Sequence, residues 1–396
     1  MLTLAAKRLR SLPIFQPDWY VKQNPDIVGI DPAIHVVYHG AKEGRCIFDP
    51  IKIATSISGI PVTEPINGFG KRLGSVDVYV SSIGNIFMDE IARGVCDAIN
   101  LCNVKVNLKS ELDGDYLNPK PKIVVAPHEF FLLNAGREYF NPTFMKNCIA
   151  YNTEQLQTQW FSSALPEMLS SAAIIDICYQ SASIFRSANM RTLHWEPAIK
   201  PTTVDLASIE EHPLLKAVPN IHDKVDWQDR PIDLSFFGAQ SPRREKAFGR
   251  IAPRIAGLNS FIYYRRRSTP LTSGFDRSLT EVAETIAQKS KIYLNIHRDV
   301  MPYFEWHRIA RQGIGNDCVV ISDHCLEHPL YKPGIHYIQV NARHVGDAVD
   351  WVLNDHDGQR RAATIRRANR TLLNNNKFEH SNAETLVDFI AENTDA

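Results

Sequence analysis

The sequence has no charge to spare. Its 44 Lys and Arg balance 44 Asp and Glu, so no global field draws the chain to nucleic acid or to an anionic surface, and any anion site has to be local. Disulfide chemistry is absent as well: the seven cysteines contain no C-x-x-C pair, and several lie in apolar runs such as CIAYN and CVVISD, as reduced thiols do. No apolar run approaches membrane-spanning length, and the basic stretch from Met1 to Ser11 is not followed by the apolar core of a secretory signal. These absences imply a soluble, cytoplasmic protein and leave room for peripheral association with a membrane or an assembly machinery. A G-x-x-x-x-G-K-[ST] phosphate loop, a G-x-S-x-G elbow and an H-E-x-x-H helix are all missing, which removes three large enzyme classes. No repeat of fixed period appears. The HCLEHP segment has His324, Cys325 and His328, but the sequence offers no matching second pair for zinc, so no metal is expected.

What is present divides the chain. At 396 residues and 44% apolar composition, two cores plus attachments are expected. Residues 1–50 form a small helical motif, with Asp18 and Asp31 as N-caps. Residues 51–74, dotted with Gly59, Pro61, Pro65, Gly68, Gly70 and Gly74, suit a linker. Residues 75–200 alternate strand-like VDVYVSS, VKVNL, KIVVAP, CIAYN and AAIIDI with helical segments, in an α/β pattern. Residues 201–231 suit an interdomain linker. A second α/β region, 232–355, runs through IDLSFFG, SFIYY, KIYLNI, CVVISD and HYIQV. Residues 356–396 are charged helices expected to pack back across the domains. The fold class is therefore α/β, with two Rossmann-like domains and a helical appendage.

Chemistry-bearing residues gather where such sheets hold ligands, beyond the carboxyl ends of strands. In FFGAQSPRREKAF a strand ends at Gly238 and turns into a helix near Pro242; Gly238 lets backbone approach a ligand, and Arg243, Arg244 and Lys246 add charge suited to a diphosphate. The plainer alternative is a solvated basic helix start. Between Lys291 and Asp323 a strand, loop, helix and strand place His297, Arg298, Asp299 and Glu305 in a second such loop. A helix starting near Pro302 would put Glu305, Arg308 and Gln312 on one face, with Phe304 and Ile309 toward the core. A carboxylate can grip ribose hydroxyls while arginine or histidine meets phosphate, the pairing a nucleotide-sugar needs. The alternative is a surface ion pair beside a satisfied buried histidine. In the first region, KIVVAPHEFF presents His128 and Glu129 at a strand end, where either can serve as general base for an acceptor hydroxyl, or else belong to a polar loop over the Phe130–Phe131 run. Thr153 is read as a helix cap, with Leu156, Trp160 and Phe161 on that helix's inner face.

On these residues the chain resembles glycosyltransferases of the GT-B fold. Residues 232–355 are similar to the group-1 and CgeB-like glycosyltransferase C-terminal domain: Gly238, Arg243 and Arg244 match its strand, glycine and basic turn, and Glu305, Arg308, Gly313 and Val320 to Asp323 its later helix and strand. The E-x7-E pattern of relatives is out of register here, with Phe304 and Gln312 where its glutamates would fall. Residues 15–45 resemble a motif common in bacterial surface-glycan assembly proteins, matched by Trp19, Tyr20, Asn24, Pro25, Asp26, Pro32, His35, Tyr38, Gly40, Glu43, Gly44 and Arg45. The resemblance implies two domains facing across a cleft. It also implies a metal-independent hexosyltransferase without cofactor, moving a sugar from a nucleotide-sugar donor to a glycan or glycosylated acceptor. Implied donor-binding residues are Gly238, Arg243, Arg244, His297, Arg298, Glu305, His307, Arg308 and Gln312; implied catalytic residues are His128 and Glu129. A nucleotide-sugar epimerase of the same architecture and a non-catalytic assembly scaffold are the alternatives.

Overall fold

The computed structural model describes residues 1–62, 73–199, 204–219, 221–265 and 278–395. The parts of the two linkers at 63–72, 201–203 and 220 lie outside the described residues. Two compact α/β units emerge: the first from residues 1–198 and 377–395, the second from the described residues between 199 and 376.

The first unit holds a six-stranded sheet, β1 (Ser75–Tyr79), β2 (Lys105–Lys109), β3 (Lys122–Val125), β4 (Cys148–Asn152), β5 (Ala173–Asp176) and β6 (Thr192–His194). Its spatial order is β2-β1-β3-β4-β5-β6, and every pairing is parallel. The second unit holds β7 (Ile232–Ala239), β8 (Ser260–Arg265), β9 (Ser290–Asn295), β10 (Val319–Ser322) and β11 (Ile338–Gln339) in the order β11-β10-β9-β7-β8, again all parallel. Strands such as β3, β4, β5 and β10 are buried along their whole length. Helices on both sheet faces require this, which is why the sequence shows continuous apolar runs rather than alternation.

In each sheet the chain first steps outward, from β1 to β2 and from β7 to β8. It then crosses to the opposite side of the first strand. The order therefore reverses between β1 and β3 in one unit and between β7 and β9 in the other. At such a reversal adjacent connections leave in opposite directions and open a crevice at the strand carboxyl ends, where doubly wound sheets bind ligands.

Each sheet also carries an apolar core. In the second unit Leu234, Phe236, Ile292, Leu294, Val319 and Ile321 from the sheet meet Ala247, Ile251 and Ile255 from the helix Pro242–Ile255; each fully buried aliphatic side chain contributes roughly 1.5–3 kcal/mol. In the first, Tyr79, Phe130, Tyr139 and Phe144 pack edge to face with ring centroids 5.0 to 5.8 Å apart along the contacts that Tyr79 and Tyr139 make, the geometry the aromatic quadrupole favours.

Local chemistry moves several boundaries. Asp31 caps the helix Pro32–His35, its side chain accepting from the Ile34 N–H at 3.0 Å. Asp18 does not cap: the helix Pro17–Gln23 starts one residue earlier, with Pro17 leading and Asp18 inside its first turn. Residues 51–58 of the expected linker belong to a helix, Pro50–Ser58, because Asp49 caps it, Pro50 opens it, and Ile53 and Ile57 find buried seats. Thr153 is not a cap either. Thr158 plays that role for the helix Gln159–Ser170, accepting from the Phe161 N–H at 3.0 Å, so Leu156 and Phe161 are buried while Trp160 remains 39% exposed. Of the C-terminal helices, His356–Leu373 belongs to the second unit, whereas Asn376–Asn393 returns to the first, where Asn382 accepts from the Trp195 indole at 2.9 Å and donates to the Glu196 carbonyl at 3.0 Å.

The residues of the 15–45 pattern satisfy one another. The Tyr20 hydroxyl meets His35 Nδ1 at 2.9 Å, Gly40 leaves room for that hydroxyl, and Arg45 forks onto Asp26 at 2.8 and 2.9 Å while reaching Asn24 at 3.1 Å. Ahead of the pattern, Arg8 of the helix Leu2–Ser11 donates to the carbonyls of Leu169 and Ser171 at 2.7 and 3.0 Å.

Candidate functional site

The richest site lies at the β7/β9 reversal. The strand β7 ends at Ala239, Ser241 caps the next helix by accepting from the Arg244 N–H at 3.2 Å, and Pro242 fills its first position. This cap turns Arg244 inward. Its side chain is only 1% exposed; Nε donates to the Ile296 carbonyl at 2.8 Å and Nη1 to the Ala239 carbonyl at 2.7 Å, while Nη2 is buried with no hydrogen-bond partner. Gly238 makes room for the guanidinium itself. A Cβ there would fall 2.9 Å from Arg244 Nη1 and 2.6 Å from the Phe236 ring.

Arg243, one position earlier, reaches across to the neighbouring strand ends, donating to the His297 carbonyl at 2.9 Å and pairing with Asp323 at 2.5 Å. His297 follows β9 and is 2% exposed. Its Nε2 lies 3.0 Å from an Asp323 oxygen and 2.7 Å from the His324 carbonyl, and its Nδ1 is 3.9 Å from Glu305. Glu305 in turn pairs with Arg308 at 3.0 Å, and the Arg308 Nε is buried without a hydrogen bond.

These groups set one another's charge. Burial opposes ionisation of Glu305, but the Arg308 cation and His297 outweigh it and hold the carboxyl well below its usual range. Burial likewise opposes charge on Asp323 and on His297, yet their mutual hydrogen bond prevails, lowering the carboxyl and raising the imidazole well above its ordinary value. Burial, with Arg308 beside it, lowers Arg244 to about 9, which leaves it charged at neutral pH. Four cationic groups, Arg243, Arg244, His297 and Arg308, thus share a site with two carboxylates, Glu305 and Asp323. The excess positive charge sits where water screens it little, so an entering polyanion is attracted far more strongly than at the surface.

Other predicted donor residues fall differently. Arg298 is exposed beside the cluster, and His307 is half-buried against the Trp306 ring. Gln312 points away from it, 2% exposed, with its amide oxygen accepting from the Tyr293 hydroxyl. The helix expected from Pro302 begins only at Trp306 and continues as a π-helical turn, His307–Gly313. The Pro302 carbonyl is taken by the Leu326 N–H, and Phe304 stacks on His328 and Tyr331 at 4.3 and 5.4 Å, which keeps that stretch extended. The wider π-turn rotates Gln312 off the face that Glu305 and Arg308 share. Sequence reasoning passed over Asp323 as a site residue, although it joins Arg243 to His297; its only signal was a carboxylate directly after the apolar run VVIS.

At the β1/β3 reversal of the first unit stand His128 and Glu129, 3% and 4% exposed. The preceding Ala126 holds a left-handed backbone, φ 53°, a strained conformation for a residue with a Cβ and one that concentrates at functional turns. Glu129 accepts from the Asn85 N–H at 2.8 Å, and Gly84 leaves room for it, since a Cβ there would lie 2.5 Å from the carboxylate. Burial raises Glu129 to about 7, against the lowering effect of that hydrogen bond, and lowers His128 to about 3. The two side chains approach to 3.9 Å as a neutral imidazole beside a carboxyl that titrates near neutrality. The Trp160 ring lies 6.1 Å from the His128 ring.

No family model matches the sequence, and no curated protein matches it. Among solved structures the chain is similar to Anabaena Alr3699/HepE in complex with UDP and glucose, at 8% identity and a TM-score of 0.45 over 76% of this chain and 94% of that one. It is also similar to a glycosyltransferase from Rickettsia africae ESF-5, at 10% identity and TM-score 0.39 over 79% and 96% of the two chains. A third is an alpha-glucosyltransferase in complex with UDP and a 13-mer DNA containing a central A:G mismatch, at 9% identity and TM-score 0.42 over 82% and 96%. Among the described residues no helix is long and apolar enough to cross a membrane.

Proposed function

We propose that this chain is a metal-independent glycosyltransferase of the GT-B type, moving a sugar from a nucleotide-sugar donor to a glycan or glycosylated acceptor in bacterial surface-polysaccharide assembly. The observation that carries this is Arg244: a guanidinium 1% exposed at a topological reversal, with Nη2 unpartnered and the positive charge around it in excess. A buried, incompletely paired cation is costly unless a ligand completes it. A diphosphate offers the negative charge and the acceptor oxygens to do so, and arginine meets phosphate in a planar fork.

The reaction follows from the two sites' chemistry. Glu129, poised near neutrality, accepts the proton of an acceptor hydroxyl. The freed oxygen attacks the anomeric carbon as its bond to the diphosphate breaks, and the electron pair leaves on the β-phosphate oxygen. Arg243, Arg244, Arg308 and the His297 imidazolium stabilise that developing charge, the task a divalent cation performs elsewhere. Glu305, held ionised, is suited to ribose or sugar hydroxyls. The 15–45 module, similar to a motif of surface-glycan assembly proteins, supports that setting.

The test is turnover with UDP-, GDP- and ADP-sugars, with and without glycan acceptors, following release of nucleoside diphosphate. Arg243→Ala and Glu305→Ala should each abolish release while the protein stays folded, and EDTA should not inhibit. Unchanged turnover in both variants removes the site. Conversion of donor alone to an isomerised nucleotide-sugar indicates the epimerase instead, and failure of any nucleotide to bind indicates a scaffold.

A further inference from the structure

Large apolar side chains stay in water on one part of the N-terminal module. Val28, Ile30, Ile34 and Tyr38, with Leu4 of the helix Leu2–Ser11, are between 40% and 73% exposed. Gly29 holds φ 90°, a backbone that suits glycine, and places Val28 and Ile30 on either side of a turn. A Cβ at Gly29 would meet nothing within 4 Å, so the tip of this turn projects from the fold. Ile30 is followed by Asp31, which caps the helix carrying Ile34, and Tyr38 comes one turn after Ile34.

Arg10 joins this knob to the helix Leu2–Ser11 by pairing with Asp31 at 2.8 Å. On that helix Ala5, Ala6 and Leu9 are buried, while Leu4, Lys7 and Arg10, at every third position, form an exposed strip. Most of the module's carboxylates are neutralised in place: Asp31 by Arg10, and Asp26 and Glu43 by Arg45 at 2.8 and 2.5 Å. Residues 1–45 hold six Lys and Arg against four Asp and Glu, a balance of +2 in a chain that is neutral overall. The knob is therefore aliphatic at its tip and basic beside it. Protein-binding hot spots favour aromatic and arginine anchors in pockets, whereas a projecting aliphatic tip next to lysine complements the boundary between anionic headgroups and acyl chains.

We propose that the face formed by Leu4, Lys7, Val28, Ile30, Ile34 and Tyr38 seats the protein on an anionic lipid bilayer. Val28, Ile30 and Ile34 enter the acyl boundary, Tyr38 lies at headgroup level with its hydroxyl toward water, and Lys7 meets lipid phosphates. So few side chains, reaching only the boundary, give a reversible attachment rather than an anchor, and salt weakens the electrostatic part of it. None of these residues belongs to either candidate site, so the attachment is independent of the transfer reaction.

The test floats the native full chain with vesicles of phosphatidylcholine, alone or mixed with phosphatidylglycerol, at low and high salt. The chain should bind the anionic vesicles at low salt about tenfold or more tighter than the neutral ones, and less well at high salt. Val28→Ser combined with Ile34→Ser should weaken binding about tenfold or more, and Lys7→Ala about fivefold. Both variants should keep the native melting temperature, because the three side chains are exposed. No binding to anionic vesicles, equal binding to both kinds, or full binding by the doubly substituted chain overturns the assignment. A concentration-dependent dimer in sedimentation that the same two substitutions abolish gives the face to a second copy of the chain and overturns it as well.

Discussion

Gly238 holds the space that the Arg244 guanidinium occupies: a Cβ at 238 would meet Nη1 at 2.9 Å and the Phe236 ring at 2.6 Å. The backbone of Gly238 is ordinary extended strand, paired with Tyr264 of β8, so the need for glycine here is one of room rather than of dihedral freedom. Gly238→Ala should therefore push Arg244 off its two carbonyls. A loss of about 1–3 kcal/mol is expected from overpacking, with a larger proportional loss of pyrophosphate affinity; melting curves and calorimetry measure the two separately.

Arg244→Met should uncouple stability from binding. The substitution forfeits two hydrogen bonds to carbonyls but also removes a buried cation that the unliganded protein pairs only in part. The unliganded variant should change in stability by no more than about 2 kcal/mol. The stabilising shift that pyrophosphate gives the native protein should vanish. A variant that pyrophosphate still stabilises would show that Arg244 is a structural cation only.

Glu129 makes the first unit sensitive to pH. Its carboxyl is raised from 4.5 to about 7 by burial, so the native state prefers the neutral form. Its contribution to stability is fullest below pH 4.5, declines as pH rises toward about 7, and is level above that. Glu129→Gln keeps an acceptor for the Asn85 N–H and removes the charge, so it should be more stable than the native chain above pH 7 by up to about 3 kcal/mol and equal to it near pH 4. Transfer by the native protein should rise with pH through the same range, and Glu129→Gln should abolish it. Denaturant melts at pH 4 and 8 and a pH–rate profile check both.

His297 titrates in the opposite sense. Its ordinary value is 6.5 and the fold raises it, so its contribution is complete below 6.5 and is lost as pH rises through the raised value. Pyrophosphate affinity should weaken across that upper window. Asp323→Asn, which removes the hydrogen-bonded carboxylate responsible, should move the weakening to lower pH, as calorimetry across a pH series would reveal. An unmoved profile would separate His297 from anion binding.

Much of this was legible in the sequence because continuous apolar runs ending in polar turns mark parallel strands and their ligand-facing tips. Arg243, Arg244, His297, Glu305 and Arg308 come together for that reason, as do His128 and Glu129. Long-range contacts decided what the sequence hid. The Pro302 carbonyl is claimed by Leu326, 24 residues on by the numbering, and Phe304 by His328 and Tyr331, which delays the helix and turns Gln312 inward; helical spacing cannot foresee a partner so remote. Asp323 went unread because a single carboxylate after a strand says nothing until the strand order brings β10 beside β9. The 15–45 pattern was legible as a pattern, and its residues turn out to hold one another in place.

The most direct measurement is calorimetric titration of the native chain and of Arg244→Met with UDP, GDP and ADP at two salt concentrations. At least one nucleoside diphosphate should bind the native protein, more weakly at the higher salt, and should not bind the variant. If none binds, or if the variant binds as tightly as the native chain, the buried arginine is not a diphosphate site and the proposed transfer chemistry loses its foundation.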